Sequence, residues 1–241
     1  MSLNNYNQEL SKEFQKTDIK PDKQFSFLPT VLSIIGDLNG KTVLDLGCGD
    51  GFFTKALMKA GAKKVIGIDN SETQIGLAKE SQTEKNIEYI LGDIYKEELP
   101  KADIILSPFV VNYAESIKDL EFLFKNIYHS LPHEGKVLLV IDLPKGKDIK
   151  KFGSIKTVQG ELKDGVRIKI DLYNQDEFLL TLHSNYYTPE TLVDVLGRAG
   201  FKSIQWHIAR ISKEGMEKYG QDFWKDFADN SELGYLSATK I

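Results

Sequence analysis

The nine residues Val43-Leu44-Asp45-Leu46-Gly47-Cys48-Gly49-Asp50-Gly51 constrain this chain more than any others. A short apolar run ends in three alternating glycines, and Phe52, Phe53, Ala56, Leu57 and Ala60 then recur at helical spacing. That pattern reads as a strand, a tight turn and a helix. Glycine adopts positive φ without steric cost and lets a backbone approach a ligand closely. Such a unit opens a doubly wound α/β sheet, in which ligands bind beyond the carboxyl ends of the strands.

What the turn lacks narrows the ligand. A dinucleotide fingerprint requires a third glycine where Phe52 stands, and no Lys-Ser/Thr pair marks a phosphate-cradling loop. Asp45 and Asp50 beside the turn repel a pyrophosphate and suit a cation. An adenosine body with a positive centre meets both conditions, and S-adenosylmethionine, with its ammonium and sulfonium, is such a ligand. The segment resembles motif I of the class I S-adenosylmethionine-dependent methyltransferases.

Further landmarks follow in the order that resemblance implies. Val65-Ile66-Gly67-Ile68-Asp69 is an apolar strand ending in a carboxylate 18 residues beyond Gly51; an acid so placed accepts ribose hydroxyls. Ser71-Glu72-Thr73-Gln74 reads as a capping box opening the next helix. Ile87 to Leu91 is a third strand, followed by Gly92-Asp93-Ile94, where the family holds the adenine. The resemblance therefore implies a cofactor set of Tyr6, Asp45, Gly47, Cys48, Gly49, Gly51, Phe52, Asp69, Asn70, Asp93, Ile94 and Ser107. The bound group is S-adenosylmethionine and the product S-adenosylhomocysteine.

The rest of the sheet is readable in outline. Ala102 to Ser107 and Val137 to Ile141 are strands four and five, separated by a helix from about Ser116 to Leu131. Leu131-Pro132-His133-Glu134-Gly135-Lys136 resembles the family's L-x-P-G-G-x turn, with Glu134 in place of the first glycine. Thr188-Pro189-Glu190 begins another helix that Gly200 closes. Phe201 to Ile208 and Leu233 to Ala238 form the antiparallel last pair of a Rossmann-like, seven-stranded sheet. Between them Met216, Tyr219, Phe223, Trp224 and Phe227 make an amphipathic stripe expected in the core.

Two segments lie outside this minimal fold. Residues 1–40 place Tyr6, Leu10 and Phe14 on one helical face and continue as the apolar stretch Phe25 to Leu38, and the resemblance implies an N-terminal helical lid over the cofactor mouth. In residues 144–187, Val166, Ile168, Ile170 and Leu172 alternate with polar residues, as do Phe178, Leu180 and Leu182 after the Asn174-Gln175-Asp176 turn. This is a β-hairpin, expected to roof the acceptor site, with glycine-containing 153–165 as its flexible approach. One domain is expected, with core 41–143 and C-terminal half 188–241. Asn112-Tyr113-Ala114, Asn185-Tyr186-Tyr187 and the tail Tyr219 to Phe227 resemble bacterial small-molecule methyltransferases of the toxoflavin-pathway N-methyltransferase type.

Methyl transfer from a sulfonium is an in-line displacement with a neutral leaving group, so positioning supplies much of the rate. A base matters only where the acceptor must lose a proton. His183 and Tyr186 are the catalytic candidates, and Asn112, Tyr113 and Tyr187 the acceptor-binding ones. His129, His133 and His207 have no metal-ligand spacing, and no metal site is expected. A net charge of −4 offers no nucleic-acid footprint, and acids Asp142 and Asp148 dilute the Lys145, Lys147, Lys150, Lys151 cluster. No apolar stretch approaches the ~18 residues of a membrane span, and the polar start has no signal-peptide character, so a cytoplasmic location is expected. Lone Cys48 reads as a small residue that fits its turn. A small-molecule methyl acceptor is the expected partner. The alternatives are a protein or RNA acceptor, or a non-catalytic module that senses S-adenosylmethionine. Ser107-Pro108-Phe109-Val110 is only a faint echo of the Asn/Asp-Pro-Pro-Tyr box used on planar amino groups.

Overall fold

The computed structural model describes residues 4, 6, 8–145, 148–174 and 177–241. The first five strands are β1 (Thr42–Leu46), β2 (Lys64–Asp69), β3 (Ile87–Leu91), β4 (Ile104–Pro108) and β5 (Lys136–Asp142). Most are near-continuous apolar runs, as strands covered on both faces require. An insert supplies β6 (Asp148–Ile149), β7 (Ser154–Val158), β8 (Arg167–Asn174) and β9 (Glu177–Asn185), and the chain ends with β10 (Lys202–His207) and β11 (Leu233–Thr239). The main sheet has seven strands in the order β10-β11-β5-β4-β1-β2-β3. β1 to β5 pair in parallel, whereas β11 runs antiparallel to both β5 and β10. Strand order reverses between β1 and β4, the switch point at which such sheets bind ligands.

Side-chain alternation divides two layers of helices. Leu44, Leu46, Ile105, Leu139 and Ile141 face α5 (Ile117–Ser130) and α6 (Pro189–Ala199). Val43, Leu106, Leu138 and Val140 face the other way, toward α2 (Leu28–Ile35), α3 (Phe52–Lys59) and α4 (Glu72–Glu80). Ser71, Ser116 and Thr188 cap α4, α5 and α6 by accepting from the backbone N–H of Gln74, Asp119 and Thr191. The expected fold class is thus the observed one.

The insert is larger than the expected hairpin. β8 and β9 do pair, but β7 adds to β8 and β6 to β7, giving a four-stranded antiparallel sheet. The expected turn at Gln175-Asp176 lies outside the described residues. The segment expected as a flexible approach carries β7 instead. Its strand signal is concealed because the residue it buries is Lys156, so the apolar alternation there reads inverted. A second departure is in α7 (Lys213–Asn230), where Gly220 (φ 77°, ψ 166°) breaks the helix and changes its phase. Trp224 and Phe227 are buried with Phe25 and Phe152, but Met216, before the break, is exposed.

Asn112, in the 3₁₀ turn Val110–Tyr113, joins the insert to the main sheet. Fully buried, it accepts from the Asp142 N–H at 2.9 Å and donates to the Asn185 carbonyl at 3.0 Å. Asn112→Leu keeps the volume and strands these backbone groups, each costing about 1–3 kcal/mol when buried unpaired. A loss of about 3 kcal/mol in urea unfolding, with an unchanged denaturant slope, is expected. A loss below about 0.5 kcal/mol would mean that this clamp is idle.

Candidate functional site

The glycine turn forms because the Gly47 and Cys48 N–H groups both donate to the Ile68 carbonyl, at 2.7 and 3.0 Å, drawing the ends of β1 and β2 together. Gly51 (φ 86°) must be glycine, since a Cβ there would lie 2.2 Å from the Tyr89 hydroxyl. Gly49 (φ 55°) is different: a Cβ would meet only Gln74 Oε1, at 3.8 Å, so the backbone presents an open face there.

Three acids lie at or just past the ends of β1, β2 and β3. Asp45 is buried and accepts from Thr54 Oγ1 at 2.6 Å through Oδ2, while its Oδ1 has no partner among the described residues. Burial first, then repulsion from Asp69, raises its pKa to about 7 against the stabilising Thr54 bond. Asp69 accepts from Gly49 N at 2.9 Å and Ser71 N at 2.8 Å, and burial raises its pKa as well. Asp93 accepts from Tyr95 N and pairs with Lys96 at 2.6 Å, beside buried Ile94. Asn70 is exposed just past β2, and Phe52 lies beneath Lys23 Nζ, 4.2 Å from its ring centroid. Burial pushes the Cys48 thiol up, which keeps it a neutral filler. Gln74 Oε1 and Ser107 Oγ are also buried without partners among the described residues. Unused buried acceptors (Asp45 Oδ1, Gln74 Oε1) beside an open glycine face fit the ammonium of S-adenosylmethionine.

The N-terminal segment closes on this region. Tyr6 accepts from Ser71 Oγ through its carbonyl at 3.2 Å, and its hydroxyl lies 2.8 Å from that of Tyr113. Asn4 donates to the Tyr113 hydroxyl at 3.1 Å and to the His183 carbonyl at 2.9 Å, and accepts from the His183 N–H at 2.8 Å. Burial raises the Tyr113 pKa to about 12, and that of Tyr6 well above the ordinary phenol value. Behind Tyr6, α1 (Gln8–Gln15) sets Leu10 and Phe14 against the inner face of the insert.

Several acceptor-side expectations are corrected. His183 belongs to the outward row of β9, opposite Lys169 and beside the Asp171–Thr181 bond, whereas Leu180 and Leu182 take the inward row. It is the His183 backbone, and not its ring, that Asn4 contacts. Tyr187 is packed in the main core, and its hydroxyl donates to the Ala114 carbonyl at 2.8 Å. Asn112 spends its carboxamide on backbone, as above. Asn185 also donates to the Ala114 carbonyl, at 2.7 Å. Asn112, Asn185 and Tyr187 therefore attach the insert, while the Tyr113 hydroxyl stays with that of Tyr6. Tyr186 lies on the insert's inward cluster, but burial, then Glu190 and Asp164, raises its pKa, so it holds its proton at neutral pH.

Sequence reading missed a buried ion pair. Lys156 Nζ lies 2.6 Å from Asp142 Oδ1, both side chains are almost fully buried, and Lys156 also donates to the Glu232 carbonyl at 3.0 Å. In the sequence, Asp142 reads only as a diluent of neighbouring lysines. Of those, Lys147 lies outside the described residues, while Lys150 and Lys151 sit over the rings of Tyr173 and Phe152. The inverted alternation of β7 was the signal for Lys156.

Residues 44–139 match the methyltransferase domain family. A Haemophilus influenzae protein of uncharacterized function is 26% identical over 232 residues, covering 88% of this chain and 86% of that one. A Methanocaldococcus jannaschii protein named as a protein N5-glutamine methyltransferase is 30% identical over 138 residues, 55% of this chain and 68% of that one. The fold is similar to the crystal structure of an S-adenosylmethionine-dependent methyltransferase from Mesorhizobium loti, with TM-score 0.66 and 18% identity over 93% of this chain and 100% of that one.

A cation beside Asp45 binds best to the ionised carboxylate. Affinity for S-adenosylmethionine is therefore expected to rise about fivefold from about pH 6 to 7, as a group of pKa about 7 ionises. Asp45→Asn should flatten the curve. The unliganded protein should lose stability over the same rise, since a carboxyl with a raised folded pKa holds more protons folded than unfolded. A flat wild-type calorimetric titration across this range would remove Asp45 from the ammonium site.

Proposed function

Because the chain belongs to the class I S-adenosylmethionine-dependent methyltransferases, we propose that it methylates a small molecule held between the strand ends and the insert. The observation that carries this reading is the cover over β4 and β5. Tyr6 bonds to Ser71 and Tyr113, and Asn4 bonds to β9, so the chain's own segments close on the acceptor half from two sides. Such a cover encloses a small acceptor, and it obstructs a folded macromolecule.

The N5-glutamine relative makes a protein acceptor the second reading. Against it, Ser107-Pro108-Phe109-Val110 lacks the asparagine or aspartate and the tyrosine of the box used on planar amides. Phe109 also adopts φ 62° and turns its ring onto Phe27, 5.4 Å between centroids, filling that corner with an apolar side chain.

S-adenosylmethionine supplies a methyl group on a positively charged sulfur, with a neutral thioether as leaving group. The residues of the chain bind, orient and exclude water. Asp69 has lone pairs beyond those used by Gly49 and Ser71, and takes the ribose hydroxyls. Asp93 and Ile94, at the end of β3, take the adenine. Asp45, Gln74 and the open Gly49 face take the ammonium. Tyr6 and the residues behind it keep water from the reacting atoms, which strengthens every charge interaction inside.

Asp69→Ala should weaken S-adenosylmethionine binding by about 1.5–3 kcal/mol, the range for hydrogen bonds to a charged group; unchanged affinity of the folded variant would remove Asp69 from the ribose role. The small-molecule reading is tested with methyl-labelled S-adenosylmethionine and a cell extract divided by ultrafiltration. Label is expected in the low-molecular-weight fraction. Label confined to protein or RNA contradicts the reading.

A further inference from the structure

We propose that Asp142 receives the acceptor's nucleophile and takes its proton, and that this nucleophile is an amine. The inference rests on the small-molecule reading above. Strand order places the acids of the cofactor over β1, β2 and β3, which leaves the ends of β4 and β5 for the acceptor. Asp142 is the last residue of β5.

Its position is fixed from floor and roof together. Asn112 holds its N–H at 2.9 Å, and Lys156 of the insert holds Oδ1 at 2.6 Å. Lys156 is the one charged side chain buried among the described residues of β7, β8 and β9, where its companions are Ile168, Ile170, Leu180 and Leu182. A buried pair of this kind is commonly no more stabilising than apolar side chains of equal volume. Its presence under an otherwise apolar roof marks a place where insert and main sheet bring two charged side chains together out of water.

The surrounding hydrogen-bond acceptors suit an amine acceptor. Around Asp142 are Lys156 on β7, Tyr6 of the N-terminal segment, Tyr113 of the 3₁₀ turn and the backbone carbonyl of Glu232 ahead of β11. Further along lie Lys20, which donates to the Phe152 and Gly153 carbonyls at 3.3 Å, and Asp22 at 4.0 Å from it. The Tyr6 and Tyr113 hydroxyls, 2.8 Å apart, both feel Asp69 from the cofactor side and Asp142 from the acceptor side. The Asp142 carboxylate and the two phenol oxygens offer hydrogen-bond acceptors to the N–H groups of an ammonium.

The step balances simply. The ammonium gives one proton to the Asp142 carboxylate, and the freed nitrogen lone pair forms the N–C bond. The C–S bonding pair stays on sulfur as a neutral thioether. The product leaves as a methylated ammonium, and Asp142 returns its proton to water.

The test uses the full chain with ¹³C-methyl S-adenosylmethionine and a low-molecular-weight cell extract, and NMR of the labelled product assigns the methylated atom. An N-methyl product is expected. On the purified acceptor, Asp142→Asn should lower kcat/KM about 10²-fold near neutral pH. It should also shift the pH profile upward, because only amine already deprotonated in solution then reacts. The isolated product, titrated in the presence of S-adenosylhomocysteine, should bind this variant at least about tenfold more weakly than wild type. His183→Ala, on the outward row, should match wild type. Since removing one member of a buried pair can unfold a protein, the uncharged pair Asp142→Asn/Lys156→Met repeats the measurement and should show the same loss and shift. An O- or C-methyl product, or either variant with wild-type kcat/KM and pH profile, overturns the assignment of Asp142. Label appearing only in macromolecules overturns the small-molecule reading instead.

Discussion

The structure depends on the placement of carboxylates at the carboxyl ends of parallel strands, where burial penalises their charge. Asp45 has only Thr54 and Asp69 only backbone N–H groups as described partners, and no described cation pairs with either. Both pKa values are raised by burial before anything else. Such an arrangement is electrostatically unfavourable until a positive charge arrives. The glycine turn exists on the same account: three residues with positive φ bring β1 and β2 together and leave one face of the backbone open at Gly49. Sheet, turn and acids thus form one device for holding a cationic ligand.

The acceptor side uses the opposite solution. There Asp142 is paired directly with Lys156, and the lysine comes from the inserted sheet and not from the main one. The insert is attached by Asn112 and Asn185 at one end, by Lys156 and by Phe152 among Phe25, Trp224 and Phe227 at the other, and by Asn4 along the free edge of β9. Asn4 and Tyr6 also bond to Tyr113, and Tyr6 to Ser71, so the N-terminal segment touches the cofactor side and the insert together.

The legible parts of this chain were those in which local pattern and tertiary role agree. The Gly47–Gly51 turn, the strand-end acids Asp69 and Asp93, and the caps at Ser71 and Thr188 each announce themselves because a backbone requirement selects the residue type. The antiparallel last pair and the α5 face could be read for the same reason. The acceptor side was obscure because its roles depend on register and burial. Lys156 reverses the apolar alternation of β7, so the strand and its charge were missed together. His183 drew attention as an ionisable residue, yet one position along the strand separates the inward row from the outward one. Tyr187 and Asn112 carry polar groups suited to an acceptor, but buried backbone carbonyls consume them.

The central claim is that the buried acids are there for the ammonium at the amino-acid end of the ligand. It is tested most directly by calorimetric titration of S-adenosylhomocysteine against 5′-methylthioadenosine, which share the thioether-linked adenosine and differ in that end alone. Hydrogen bonds between charged groups and buried acceptors predict that S-adenosylhomocysteine binds about 10–100-fold more tightly. Equal affinities would contradict the account, because Asp45 and the open face at Gly49 would then contribute nothing to what the sheet holds.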